Sequence, residues 1–318
     1  MANIGICFSG NFSGNTPLNH IHIKRPVYLR LLELIEDSGF NAYVLTRKTY
    51  QGDSVFDGVW QFSQGKFNIV KDSVKIDLVY DRVGGVAFPP KSDPMLVVNR
   101  RDFKILAWDK WKTYKEIGGF MPKTFWVGEI QNAARLIGQV ETRNIVLKPY
   151  NGLMGKGIFI GPKEDLNNFG PDRLDRKYIL QEFVDTSHGI PGLTPGKHDL
   201  RIVVINGEVV WCHIRVPKEG KLLANAAQGG TLTEIDYKKV PGSVKKIVAE
   251  VSGKFYKEYD NPIFSLDFGI NEEGSPKIFE INDQIGFPRW EMKNRDIFLK
   301  ALVLNFKSKL SSLMKLCL

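Results

Sequence analysis

At 318 residues, 43% of them hydrophobic, with 30 glycines and 16 prolines, the chain is long enough for two or three lobes sharing substantial cores. Its opening apolar run, Ile4 to Phe8, is too short for a secretion signal, and the stretch Ile297 to Leu318 is broken by four lysines, which suits an amphipathic packed helix rather than a membrane span. Three far-separated cysteines, Cys7, Cys212 and Cys317, argue against a disulfide framework or zinc knuckle, and a net charge of +9 on scattered lysines suits anionic small substrates as readily as nucleic acid.

A cytoplasmic protein without membrane association is therefore expected. In chain order, strands are expected at Ile4 to Phe8, Ala42 to Leu45 and Ile76 to Tyr80, with a helix over Pro26 to Asp37, giving a small α/β lobe over residues 1–105. The loop Ser9 to Asn15 lacks the G-x-G-x-x-G spacing of a dinucleotide site. Asp109 can cap a helix ending at Gly118-Gly119; a strand follows at Thr124 to Val127, then a helix from Glu129 to Val140. From Ile145 strands dominate, at Ile145 to Lys148, Gly157 to Ile160, Tyr178 to Val184, Leu200 to Ile205, Val209 to Val216, Phe264 to Ile270 and Lys277 to Asn282, interrupted by a helix over Val244 to Tyr256. The glycine- and proline-rich piece from Gly189 to Gly196 is a loop, and division into 106–190 and 191–318 follows.

Four groups of residues carry chemistry. Lys148 ends a strand that faces a glycine loop, Gly152-Leu153-Met154-Gly155-Lys156-Gly157, whose backbone N–H groups could approach phosphate oxygens. It is not a Walker loop, and taken alone the segment favours a glycine hairpin with a surface lysine. Gln181-Glu182-Phe183-Val184 leads from an apolar strand into a loop, an edge where backbone groups can meet a base. Asp199-Leu200-Arg201 opens a strand that turns at Asn206-Gly207 and returns to Arg215. Simple alternation puts Arg201 and Arg215 on opposite faces unless a bulge intervenes, so Arg215 is the preferred phosphate ligand. Cys212 and His213 point opposite ways and read as packing residues.

The fourth group is a hairpin. If its turn centres on Glu273 and Gly274, Asp267 lies opposite Glu280 and Ser265 opposite Asn282, while Leu266, Phe268, Phe279 and Ile281 face away. Two carboxylates directly across a strand pair repel unless a cation sits between them. Asp267, Glu280 and Asn282 thus make an open oxygen site for Mg²⁺, although the isolated hairpin is as readily a solvated face.

These pieces in order, from Asp109-Lys110-Trp111-Lys112-Thr113 through Lys148, Gln181 to Val184, Asp199, Arg215, Asn225 and Gly229-Gly230 to Asp267, Glu280 and Asn282, resemble the ATP-grasp superfamily over roughly residues 100 to 290. The run Arg215-Val216-Pro217-Lys218-Glu219-Gly220 is most similar to the branch containing ribosomal protein S6 glutamate ligase and bacterial glutathione synthetase. The resemblance implies an ATP-grasp fold, α+β in its catalytic part, behind a small α/β lobe. It also implies an ADP-forming carboxylate-amine ligase using ATP and Mg²⁺ or Mn²⁺. Lys110, Lys148 and the loop glycines Gly152, Gly155 and Gly157 would hold phosphates, with Gln181, Glu182, Phe183 and Val184 at adenine. Asp199 would reach ribose or substrate, Asn225 would join the nucleotide site, and Arg215 with Lys148 would act in catalysis. Substrates would be small-molecule or peptide carboxylates and amines, with self-association left open. A hydroxyl kinase on the same fold, or a non-catalytic nucleotide- or nucleic-acid-binding module, are the alternatives. The turn after Asn282, Asp283-Gln284-Ile285-Gly286-Phe287-Pro288, departs from that branch, so the acceptor is not carried over.

Overall fold

The computed structural model describes residues 1–10, 17–85, 88, 94–152, 156–170, 176–220 and 230–316, with side chains to 312. Gly155, Asn225, Gly229 and Cys317 lie outside these residues.

The first lobe contains β1 (Asn3–Phe8), α1 (Arg25–Asp37), β2 (Asn41–Thr46), β3 (Tyr50–Gly52), β4 (Val55–Phe56), β5 (Val59–Ser63), β6 (Lys66–Val70), β7 (Val74–Lys75), β8 (Leu78–Asp81) and β9 (Leu96–Val98). Six of these strands form one sheet in the order β6-β5-β2-β1-β8-β9, with β2, β1, β8 and β9 parallel. The central strands are apolar along their length because both faces are covered. Ile4, Ile6 and Val44 pack under α1 through Val27, Leu31 and Ile35, while Cys7, Leu45 and Val79 pack toward Phe56 of the small β3-β4-β7 sheet. The strands between residues 50 and 75 were not expected from periodicity: they are two to five residues long, too short to show a pattern.

Helix α2 (Arg101–Trp108) leads to α3 (Lys110–Ile117), which the Asp109 carboxylate caps by accepting from the N–H groups of Trp111 and Lys112. A four-stranded antiparallel sheet follows, ordered β10-β13-β11-β12, from β10 (Thr124–Gly128), β11 (Asn144–Pro149), β12 (Phe159–Pro162) and β13 (Tyr178–Glu182). The expected helix from Glu129 to Val140 is reduced to one α turn, α4 (Ala133–Leu136), between two 3-10 turns. The Asn132 side chain bonds back to the Val127 carbonyl, and Gly138 weakens the other end.

The third sheet has the order β16-β15-β14-β17-β18, from β14 (Asp199–Ile205), β15 (Glu208–Val216), β16 (Thr231–Glu234), β17 (Phe264–Ile270) and β18 (Pro276–Asn282). One face, with Leu200, Ile202, Leu266 and Phe268, is sealed by α2 and by α5 (Gly242–Glu258) through Phe103, Leu106, Val248 and Phe255. The opposite face is divided. At one end it opens to a cleft; at the other Val203, Ile205 and Trp211 meet α6 (Arg295–Leu316). Helix α6 is packed, as expected, but only weakly amphipathic, with Ile297 and Leu304 exposed and Asn305 and Lys309 buried; its Phe298, Leu302 and Phe306 share a core with α1 and β1.

Candidate active site

Strands β17 and β18 pair with Asp267 opposite Glu280 and Ser265 opposite Asn282, as the sequence pattern requires. The route differs from a simple turn. Next to the loop, Phe268 pairs with Ile278 and Ile270 with Pro276, so the loop centres on Glu273 and Phe279 is an extra residue that restores the register. That bulge overturns the expectation that Phe279 faces away. Its ring lies over Gly269, where a Cβ would come within 2.0 Å of the ring, and the residue lines the cleft.

A second bulge overturns the expected separation of the two arginines. Val203 pairs with Trp211 but Val204 with Val209, leaving Val210 unpaired. Beyond it Arg201 opposes His213 and Asp199 opposes Arg215, so both guanidiniums share the cleft face. Arg201 grips Asp267 with two bonds of 2.6 Å, Arg215 donates to Asp267 at 2.8 Å and to Asp199, and the Asn282 amide donates to Asp267 at 3.2 Å. Bidentate charge-assisted bonds of this kind are strong and directional.

The second carboxylate has its own cation: the Lys110 ammonium sits 3.0 Å from Glu280 and donates to the Gly152 carbonyl at 3.1 Å. Lys148, buried at the end of β11, donates to Gln181 Oε1 at 2.9 Å and to the Phe279 carbonyl at 3.2 Å. Gln181 is fixed in turn by donating to Thr124 at 2.8 Å, so its side chain orients the lysine. Glu182, Phe183 and Val184 line the same cleft of ≈ 350 Å³, together with Asp199, Arg201, Arg215 and Asn282. The Phe183 N–H is taken by Thr142. Gly157 holds φ +72 before β12, a left-handed conformation that favours glycine.

The electrostatics follow from crowding in a dry site. Burial, with Lys110 nearby, pushes the Lys148 ammonium down to about 8, against the pull of Glu280. Burial would raise Asp267, yet Arg201 and Arg215 hold it below the usual carboxylate range. Burial and the charge on Asp267 push Asp199 up to about 7, opposed by the arginines. Burial, then Arg201 and Arg215, keep His213 far below its ordinary value, and so neutral.

Two carboxylates and a carboxamide on adjacent strands fit a hard divalent cation. Among the described residues no group of three His, Cys, Asp or Glu gathers for a metal, so a metal here would take Asn282 as its third donor. The Nε of Arg215 and the Oδ1 of Asp199 are buried without hydrogen-bond partners, which suits an anionic ligand and its counter-ion entering here. Along the same face of β15, Trp211 and His213 also carry buried unpartnered nitrogens, and their rings lie 4.2 Å apart. His213, 2% exposed and resting on Trp211, packs as the sequence suggests, on the face that its spacing of two shares with Arg215. The bulge at Val210 brings that face of β15 level with Arg201.

The profile of the RimK-like ATP-grasp domain matches residues 104–295. Human N-acetylaspartylglutamate synthase A is 27% identical over 203 residues, 60% of this chain and 47% of that protein. The glutathione synthetase of Agrobacterium fabrum is 32% identical over 121 residues, 36% of this chain and 34% of that one. The chain thus spans about half or less of the length of these relatives. Among solved structures, D-alanyl-alanine synthetase A from Vibrio cholerae superposes with a TM-score of 0.59 at 13% identity, covering 96% of this chain and 98% of that one. The ATP-grasp ligase PsnB, solved with a precursor variant, Mg and ADP, gives a TM-score of 0.57 at 12% identity, covering 96% and 99%; at such identities the likeness shows the fold alone. Because the matched segment spans the lysines, the hinge, the arginines and the acidic hairpin, the chain belongs to the RimK-like ATP-grasp domain family.

Proposed function

We propose that the chain is an ATP-dependent ligase that activates a carboxylate as an acyl phosphate and joins it to an amine or similar nucleophile, releasing ADP and phosphate. The observation that carries this reading is the convergence, in one cleft, of the Asp267–Glu280 hairpin with two lysines from other elements. In this reading Lys110, Lys148 and the loop glycines Gly152, Gly155 and Gly157 hold the phosphates, with Gln181 orienting Lys148. The hinge from Glu182 to Val184 takes adenine, Asp199 reaches ribose or substrate, and Asn225 joins the nucleotide site. Asp267, Glu280 and Asn282 hold Mg²⁺ or Mn²⁺, which neutralises phosphate charge when bound. The boundaries 1–105, 106–190 and 191–318 separate a leading lobe from two lobes that close on nucleotide.

The chemistry needs no protein nucleophile. A carboxylate oxygen attacks the terminal phosphorus and ADP leaves; the amine then attacks the acyl carbon, phosphate departs with the former carboxylate oxygen, and the amine loses a proton. Arg215, already on the cleft face with a free Nε, offsets charge on the transferring group, and Lys148 assists from the opposite wall. Relatives are named for synthesis of N-acetylaspartylglutamate, β-citrylglutamate and glutathione, so small acids and amino acids are the first pairs to screen. Among the described residues no helix is long and apolar enough to cross a membrane, and a cytoplasmic setting is proposed.

Paired screening for ADP release tests the reading. Glu280→Gln is expected to lower turnover by about 100-fold or more, of the order of one lost charge-stabilising group in the transition state. Unchanged turnover in that variant would remove the metal assignment. A stable phosphorylated hydroxyl product with no coupled amine would make the protein a kinase instead.

A further inference from the structure

We propose that Lys104 is a positioning residue for the metal-binding hairpin, fixing where Asn282 and Glu280 stand by tying the turn after β18 to the first lobe. This rests on reading Asp267, Glu280 and Asn282 as metal ligands.

The hairpin is closed by its loop at one end and open at the other, where Ser265 faces Asn282. The two strands leave that open end through Ile263 and Asp283, and both are held from outside their own sheet. Asn99, just after β9, accepts from the Ile263 N–H at 2.6 Å and donates back to the Ile263 carbonyl at 2.6 Å. The same amide reaches the Asp283 carbonyl at 3.4 Å, so one side chain spans both strands. Lys104 of α2 then bridges Asp283 at 2.8 Å and Asp81, at the end of β8, at 3.2 Å. The next two residues are gripped in sequence: Gln284 donates to the Asp81 carbonyl at 3.0 Å, and Arg82 donates to the Ile285 carbonyl at 2.9 Å. The Arg82 guanidinium lies 5.4 Å from the ring centres of both Tyr80 and Phe287, which limits its freedom to move.

Lobe docking alone would not require this. Apolar contact joins lobes at lower cost than a lysine side chain 3% exposed between carboxylates 0% and 13% exposed. What a buried ionic bridge adds is a single allowed position, whereas apolar faces tolerate sliding. A metal site has use for that, because its donor distances must hold within about 0.2 Å. Nucleotide held through lysine ammonium groups and a hinge needs no such tolerance. Asp283 is covalently next to Asn282, so a displacement of the bridge reaches the ligand across a single peptide unit.

The test uses the full chain carrying Lys104→Met and, separately, Asp283→Asn. Mn²⁺ binding is followed by electron paramagnetic resonance with a non-hydrolysable ATP analogue present, and binding of that analogue without metal is measured beside it. Lys104→Met is expected to weaken Mn²⁺ by about tenfold or more, and Asp283→Asn by less, with metal-free nucleotide affinity within about twofold of the parent. Mn²⁺ affinity unchanged in a folded variant, or metal and metal-free nucleotide falling in proportion, overturns the proposal. If Lys104→Met does not fold, Asp283→Asn, at the half-open end of the bridge, decides by the same two titrations. Failure of the parent itself to bind Mn²⁺ would sink the underlying metal assignment instead, so the two failures are distinguishable.

Discussion

Replacing Lys148 by methionine removes one charge from a buried wall of the cleft; its effects on the free protein nearly cancel, while those on the nucleotide-bound protein do not. In the free protein burial lowers the ammonium from 10.5 to about 8, which corresponds to about 3 kcal/mol spent on keeping it charged. The unfolded chain binds that proton more tightly. Stability of the free protein therefore carries the full cost below pH 8 and gains as pH rises from about 8 to 10.5. Methionine removes this cost but strands the Gln181 and Phe279 oxygens, a loss of about 1–3 kcal/mol, so the variant folds with stability close to the parent at neutral pH. With nucleotide, the lost charge-assisted bond costs about 1.5–3 kcal/mol, or about 10- to 150-fold in affinity. The pH profile separates charge from packing. A phosphate oxygen keeps the lysine protonated, so parental affinity falls by about 30-fold between neutrality and about pH 9.5, while Lys148→Met lacks that slope. Isothermal titration with an ATP analogue at four pH values reads both. Equal slopes in parent and variant, or parental affinity in the variant at pH 7, would refute the placement of Lys148 on phosphate.

Further expectations concern residues that shape the site from outside the ligand. Arg201→Met leaves Asp267 with Arg215 and the Asn282 amide and should cost about 2–4 kcal/mol in urea unfolding, since a buried carboxylate loses its bidentate partner. Gly189→Ala should destabilise by about 2 kcal/mol or more, because φ is +76 there and the new Cβ would lie 2.1 Å from the Thr194 carbonyl oxygen. Thermal melts compared with Gly192→Ala, where φ is also positive but the space is open, separate the clash from the backbone strain.

The hairpin was legible because alternation and an acidic-glycine turn leave few registers, and a slip of one residue would set Asp267 opposite Phe279 or Ile281. Its bulge at Phe279 was not legible; nothing local marks an extra residue when the pairing further out is unchanged. The bulge at Val210 hid more, since it decides whether Arg201 and Arg215 share one face. Lys148 could be singled out from its place before a glycine loop, and Lys110 only through the family resemblance. Lys104 could not, for its partner Asp283 is 179 positions away and the helical pattern of α2 gives no sign that a lysine within it is buried. Short strands between residues 50 and 75 escaped for a different reason: they are stabilised by packing on Phe56 and its neighbours, not by a repeating face of their own.

Helix α6 completes the core over α1 with Phe298, Leu302 and Phe306. On a ribosome, the first lobe therefore waits for part of its cover: its own sheet can close on Val27, Leu31 and Ile35 early, but the surface that Phe298, Leu302 and Phe306 complete emerges long before them. Until residues near 306 leave the exit tunnel, that apolar surface is exposed, and a nascent chain stalled before 295 is a natural client for a chaperone. Deletions that trim from residue 295 onward should accordingly aggregate through the lobe farthest away in sequence.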